Sequence, residues 1–155
     1  MEDLGDRLDV LLSGYERRKQ EETQRQVQRA LRLEESRKTG AEYLRRYALE
    51  AGRNVAERLQ AAGHRVMYQE FLDAYPPSVR IHLWPKAGPL TEGESKRTTF
   101  ELVWGEPNPN AMCATRWSEG LHRTHEQGSA RAGVLDEVWV REQFLVFVRE
   151  TLEGA

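Results

Sequence analysis

A single cysteine, Cys113, stands among 155 residues. It has no partner for an internal disulfide, so a cytoplasmic setting is the expectation. No run of about 18 apolar residues occurs, and none of the chain is expected to span a membrane. The first residues, MEDLGDRLDV, are acidic and lack the apolar centre of a secretory signal. Glycine is scattered, so no phosphate-cradling loop, Walker sequence or nucleophile elbow can be found. Tryptophan is missing from the first 83 residues; all four, Trp84, Trp104, Trp117 and Trp139, fall in the second half. These absences leave no motif for a catalytic residue, a cofactor or a metal.

What the chain has instead is charge. Charged residues make up 31% and apolar residues only 39%, against a usual quarter and nearly half. The formal net charge is only −2, but it is unevenly spread. Residues 1–16 carry −4, residues 17–58 carry +5 and the remainder −3. A long helix with a narrow apolar stripe accounts for such a composition better than a large core does.

Leu4, Leu8, Leu11 and Tyr15 recur at intervals of four, three and four, the spacing of one helix face. Asp3 or Asp6 is placed to cap that helix. Glu16–Gln26 then has no apolar residue, so it is expected to be a solvated helix or a mobile stretch. Val27 and Leu31 resume the stripe weakly, and Thr39-Gly40 reads as a break. From Ala41, the positions Leu44, Ala48, Ala51, Val55, Leu59 and Ala62 form a second helix. Gly63 follows where a C-capping glycine belongs. The gap at Glu16–Gln26 fails the uninterrupted heptads a coiled coil needs. The domain reading is a charged helical arm, 1–40, and an α+β domain, 41–155.

After Gly63 the period becomes two. Val79, Ile81 and Leu83 alternate with Arg80, His82 and Trp84, and Phe100, Leu102 and Trp104 alternate with Thr99, Glu101 and Val103. Both segments read as strands. Val66–Leu72 fits a strand, although Met67, Tyr68, Phe71, Leu72 and Tyr75 also fit a helical stripe. Met112–Ser118 and Leu121–Glu126 read as a hairpin about Glu119-Gly120. Lys86–Lys96 and Gln127–Gly133 are left as loops. Val140, Phe144, Phe147 and Val148 predict a final helix on the sheet, capped by Asp136. The fold class is α+β: a helical arm and long helix, a four- to five-stranded antiparallel meander, and a C-terminal helix.

Two surfaces are candidates for function. The first is the stripe Leu4, Leu8, Leu11 and Tyr15, which a polar stretch separates from any core; Trp84, beside Arg80 and His82, is a second partner-facing residue. The other rests on hairpin register. A two-residue turn sets Arg116 opposite Arg123, a like-charge pair that an anionic ligand or acidic partner would relieve. His122 and His125 are three apart, so on a strand they point to opposite faces and do not form a metal site. Cys113 reads as a small buried hydrophobe, not a nucleophile.

The reading that follows is a non-enzymatic protein that binds a protein partner or itself through the arm, as a homodimer or a subunit of an assembly. One alternative is a nucleic-acid-associated protein using the basic stretch Arg17–Lys38, although acids interleave with it and the overall pI is about 6.1. An enzyme with a pocket between sheet and C-terminal helix is the third.

Overall fold

The computed structural model describes residues 3–87, 96–120 and 123–154. They form an α+β fold of three helices and five strands. Helix α1 is Leu4–Tyr47 and α2 is Leu49–Ala61; strands β1 Arg65–Phe71, β2 Ser78–Trp84, β3 Thr98–Trp104, β4 Ala111–Ser118 and β5 His125–Arg131 follow, and α3 is Glu137–Glu153. The chain divides into two compact units, residues 1–35 and 36–155.

In the first unit the helix starts where an acidic cap can hold it: the Asp3 carboxylate accepts the Asp6 backbone N–H at 2.8 Å. Glu16–Gln26 is helical throughout. Strong helix formers such as Glu, Arg, Lys and Gln carry a helix there without an apolar face.

The expected break at Thr39-Gly40 is not one. Gly40 lies within α1 and is buried. A Cβ on it would come within 2.5 Å of Trp104 Cδ1 and 2.7 Å of Pro77 Cγ. The glycine lets helix backbone lie directly on the sheet, and its lack of a side chain is spent on packing rather than on ending the helix. The interruption falls at Ala48 instead, where φ is −117°. Even there the ladder holds, since Ala48 N–H reaches Leu44 O and Gly52 N–H reaches Ala48 O, both at 2.8 Å. Gly63, with φ of 96°, ends the sequence of helices as its position foretold.

The sheet is an antiparallel meander in the order β1-β2-β3-β4-β5. The segment expected at Val66–Leu72 resolves as strand β1, one residue earlier at each end, with Tyr68 opposite Ile81. One face carries the core: Val79, Ile81, Leu83, Phe100, Leu102, Met112 and Ala114 pack with Leu44, Leu59, Val140, Phe144 and Phe147 from the helices. Phe100 meets Phe144 and Phe147 at ring-centroid distances of 5.1 Å each. The Asp136 carboxylate caps α3 by accepting Trp139 N–H at 2.8 Å.

The last hairpin departs from the expected register. Arg116 pairs with His125, not Arg123, and the ladder shifts between Ala114 and Thr115. Gln127–Arg131, expected as loop, belongs to β5. His-Glu-Gln-Gly-Ser-Ala-Arg has no apolar alternation because an edge strand of this sheet buries little more than Ala130. The connection from β4 is correspondingly longer than two residues. His122 and most of Lys86–Lys96 lie outside the described residues.

Candidate functional site

The register places alternate residues of every strand on the sheet face away from the helices. Arg65 pairs with Trp84 and Met67 with His82 across β1 and β2. His82 pairs with Thr99 and Arg80 with Glu101 across β2 and β3. Thr99 pairs with Trp117, Glu101 with Thr115, and Val103 with Cys113 across β3 and β4. The helical residues of the second unit that pack on the sheet, Leu44, Leu59, Val140, Phe144 and Phe147 among them, lie on the other face. The open face carries aromatic, cationic, acidic and hydroxyl side chains side by side.

Its two ends differ in chemistry. Towards Arg65, Trp84 and Trp117, aromatic and cationic groups adjoin. The Arg65 guanidinium lies 4.4 Å from the Trp84 ring centroid, a cation–π distance. His82 is held on both sides: Nδ1 lies 2.7 Å from Thr99 Oγ1 and Nε2 lies 3.0 Å from Gln69 Oε1. An amide oxygen only accepts, so the proton is assigned to Nε2, and Nδ1 accepts from the Thr99 hydroxyl. Partial burial, reinforced by the charges of Arg97 and Arg80, keeps His82 below its ordinary pKa. It is neutral at pH 7.

Towards the other end the face turns acidic. Glu101 is ion-paired with Arg80, and a shallow depression of about 510 Å³ is lined by Glu101, Glu106, Cys113, Thr115 and Trp117 among others. Burial, with the nearby carboxylates of Glu126 and Glu101, pushes the Cys113 thiol up to about 11. A thiol so protonated is a poor nucleophile. No group of three His, Cys, Asp or Glu among the described residues is arranged to hold a metal.

The residues expected from sequence are distributed as follows. Leu4, Leu8, Leu11 and Tyr15 are exposed on the first unit, at 81, 51, 67 and 52%. Trp84 is half-buried on the open face. Arg116 and Arg123 are not brought together as a cross-strand pair. Arg116 donates to Gln127 Oε1 at 2.8 Å, and the Gln127 amide donates to Gln143 O at 3.0 Å. Arg123 precedes β5 and is exposed. The like-charge argument for an anion between them therefore lapses. The bulge in the ladder was invisible to a hairpin count, and Arg97 escaped notice because it adjoins a segment of low apolar content.

The sheet–α3 interface is filled by Phe100, Phe144 and Phe147, which gives the expectation of a catalytic pocket there no support. The groove between α2 and α3 is small, about 240 Å³, and lined by Tyr47, Val55, Phe144 and Leu145 with mixed charges at its rim. Among the described residues no helix is long and apolar enough to cross a membrane.

No protein-family model, no curated protein and no solved structure matches this chain.

Proposed function

We propose that this chain is a non-enzymatic binding or assembly protein, which contacts a protein partner or a second copy of itself through the start of α1. The observation carrying this reading is the exposure of large apolar residues. Between Leu4 and Tyr15, six are at least half exposed: Leu4, Leu8, Val10, Leu11, Leu12 and Tyr15. Fully burying one leucine side chain contributes roughly 1.5–3 kcal/mol. Leaving four leucines in water within three turns therefore forgoes several kcal/mol that a partner surface recovers. Such patches mark interaction sites more often than scattered exposed leucines do. The spacing concentrates Leu4, Leu8, Leu11 and Tyr15 on one side, which suits helix-to-surface contact. A cytoplasmic setting belongs to the same reading, as Cys113 is a free, buried thiol.

The test is photo-crosslinking from two positions of the full chain in its native cell. Leu8 is on the stripe, and Asp6 is turned roughly half a helical turn from it. A photoreactive residue at position 8 should give a discrete adduct, either with a second copy or with one partner protein, that position 6 does not give. Identical patterns from both positions would sink the reading.

A further inference from the structure

The basic, aromatic end of the open sheet face has a chemistry that the proposed helix contact does not use. We infer that this end is a platform for single-stranded nucleic acid, with Trp84 and Trp117 as stacking surfaces and Arg65 and Arg97 meeting the phosphates.

Four cationic residues, Arg65, Lys86, Lys96 and Arg97, cluster where β1 and β3 begin and β2 ends. None has a carboxylate ion pair among the described residues. Hydrogen bonding brings the acid Glu119 to this end: its backbone N–H donates to Arg97 O at 2.8 Å. Its carboxylate is engaged by the Arg97 backbone N–H at 3.4 Å, not by the guanidinium. Arg97 Nε has no partner and is shielded from solvent. The whole chain is slightly acidic, but charges more than about 8–10 Å away are largely screened at physiological salt. Among the described residues, what an approaching strand meets here is an excess of cations.

Charge alone fits any anion, and the aromatic residues narrow the choice. Trp84 and Trp117 share the open face of β2 and β4. Two steps between strands separate those elements, on the order of 10 Å, which is room for two bases of one strand. Both rings are half-buried and so retain exposed surface. Arg65 already stacks on Trp84, and an Arg–aromatic layer of this kind can extend onto a base. Thr99 is wholly buried between His82 and Trp117, so the two tryptophans flank a closely packed centre. Two separated, partly exposed rings suit unpaired, splayed bases, whereas a duplex presents its bases edge-on in grooves. A free nucleotide would ordinarily be enclosed in a cleft. An acidic peptide would satisfy the arginines and leave the tryptophans unused.

The experiment uses the full chain and a labelled oligo(dT) of about 12 nucleotides, followed by anisotropy and tryptophan quenching from about 50 mM salt upward. Saturable, salt-dependent binding with quenching is expected. Trp84→Leu and Trp117→Leu should each weaken it at least about five-fold. Arg65→Gln and Arg97→Gln should each lower the slope of log K against log salt by about 0.7; Arg65→Gln, a change at an exposed side chain, keeps the test alive if a tryptophan variant misfolds. Replacing Arg17, Arg18 and Lys19 in α1 by Gln should change little. The inference is overturned by no saturable binding at low salt, or by loss of binding through the α1 variant with the sheet variants unaffected. Equal affinity for a duplex of the same length, or displacement by polyglutamate at matched charge, also overturns it. None of these outcomes bears on the helix contact, which crosslinking tests separately.

Discussion

Leu4, Leu8, Leu11 and Tyr15 follow the same three- and four-residue spacing as Val140, Phe144 and Phe147, yet the two stripes have opposite fates. The three residues of α3 are at most 1% exposed, and the residues of the first unit are half exposed or more. Periodicity thus fixes which side of a helix is apolar and leaves open what covers it. For α3 the cover is the sheet, whose inward residues Phe100 and Ala114 present a complementary surface. For the start of α1 nothing within its own unit plays that part. The sheet repeats the lesson: on β2, Val79, Ile81 and Leu83 are fully buried, while their neighbours Arg80, His82 and Trp84 lie on the open face.

The sharpest way to break the comparison is to truncate one residue from each stripe. Phe144→Ala removes a ring packed on Phe100 and should cost about 3–5 kcal/mol of unfolding free energy. Leu8→Ala should change it by no more than about 0.5 kcal/mol in dilute protein. Urea denaturation followed by tryptophan fluorescence reads both. A large cost at Leu8 would mean that the stripe is already covered under those conditions, and its disappearance on dilution would point to self-association.

A smaller effect is expected at Gly40, which separates helix propensity from packing. On propensity alone, Gly40→Ala should stabilise α1 by about 1 kcal/mol. Against that, the new methyl meets the rings of Trp104 and Pro77 at distances no relaxed Cβ shows. Both neighbours are buried, so neither yields easily, and overpacking costs of about 1–3 kcal/mol should win. A midpoint raised above that of the parent would show that the close approach is softer than the geometry implies.

The smallest effect concerns the open face. His82 is held below its ordinary pKa in the folded protein by partial burial and the charges of Arg97 and Arg80. A base whose folded pKa is depressed binds its proton more tightly when unfolded. Its contribution is therefore present above the unfolded value of about 6.5 and is lost as pH falls below it. His82→Gln should flatten the stability profile between roughly pH 7 and 5. If parent and variant profiles run parallel through that window, other groups govern the acid limb.

Much of the fold was legible because its signals are local. Alternation in Val79–Trp84 and Phe100–Trp104 gave two strands, Asp136 and Gly63 gave two helix ends, and the choice between Asp3 and Asp6 as the first cap was settled by the structure as Asp3. The misreadings occurred where a residue's role depends on a distant surface. Gly40 looks like a stop, but Trp104 and Pro77, more than 35 residues away, turn it into a contact. Gln127–Arg131 looks like a loop because an edge strand needs hydrogen bonds on one side and little apolar surface. The two-residue turn expected at Glu119-Gly120 is a separate error of the same hairpin, and it produced the pairing of Arg116 with Arg123 where the ladder sets Arg116 opposite His125. Of the open face, Trp84 was noticed; the adjacency of Arg65, Arg97 and Trp117 could not be, since three separate strands supply it.

By itself, then, the amino-acid order determined the periods: where the chain is helical, where it alternates, and that Leu4, Leu8, Leu11 and Tyr15 share a side. These follow from backbone geometry acting over a few residues. Only the tertiary structure decided which apolar faces are covered, which strand partners meet, and that two tryptophans and two arginines gather on one uncovered face. Those outcomes depend on contacts between residues far apart in the chain, where complementary surfaces compete and no local spacing records the winner.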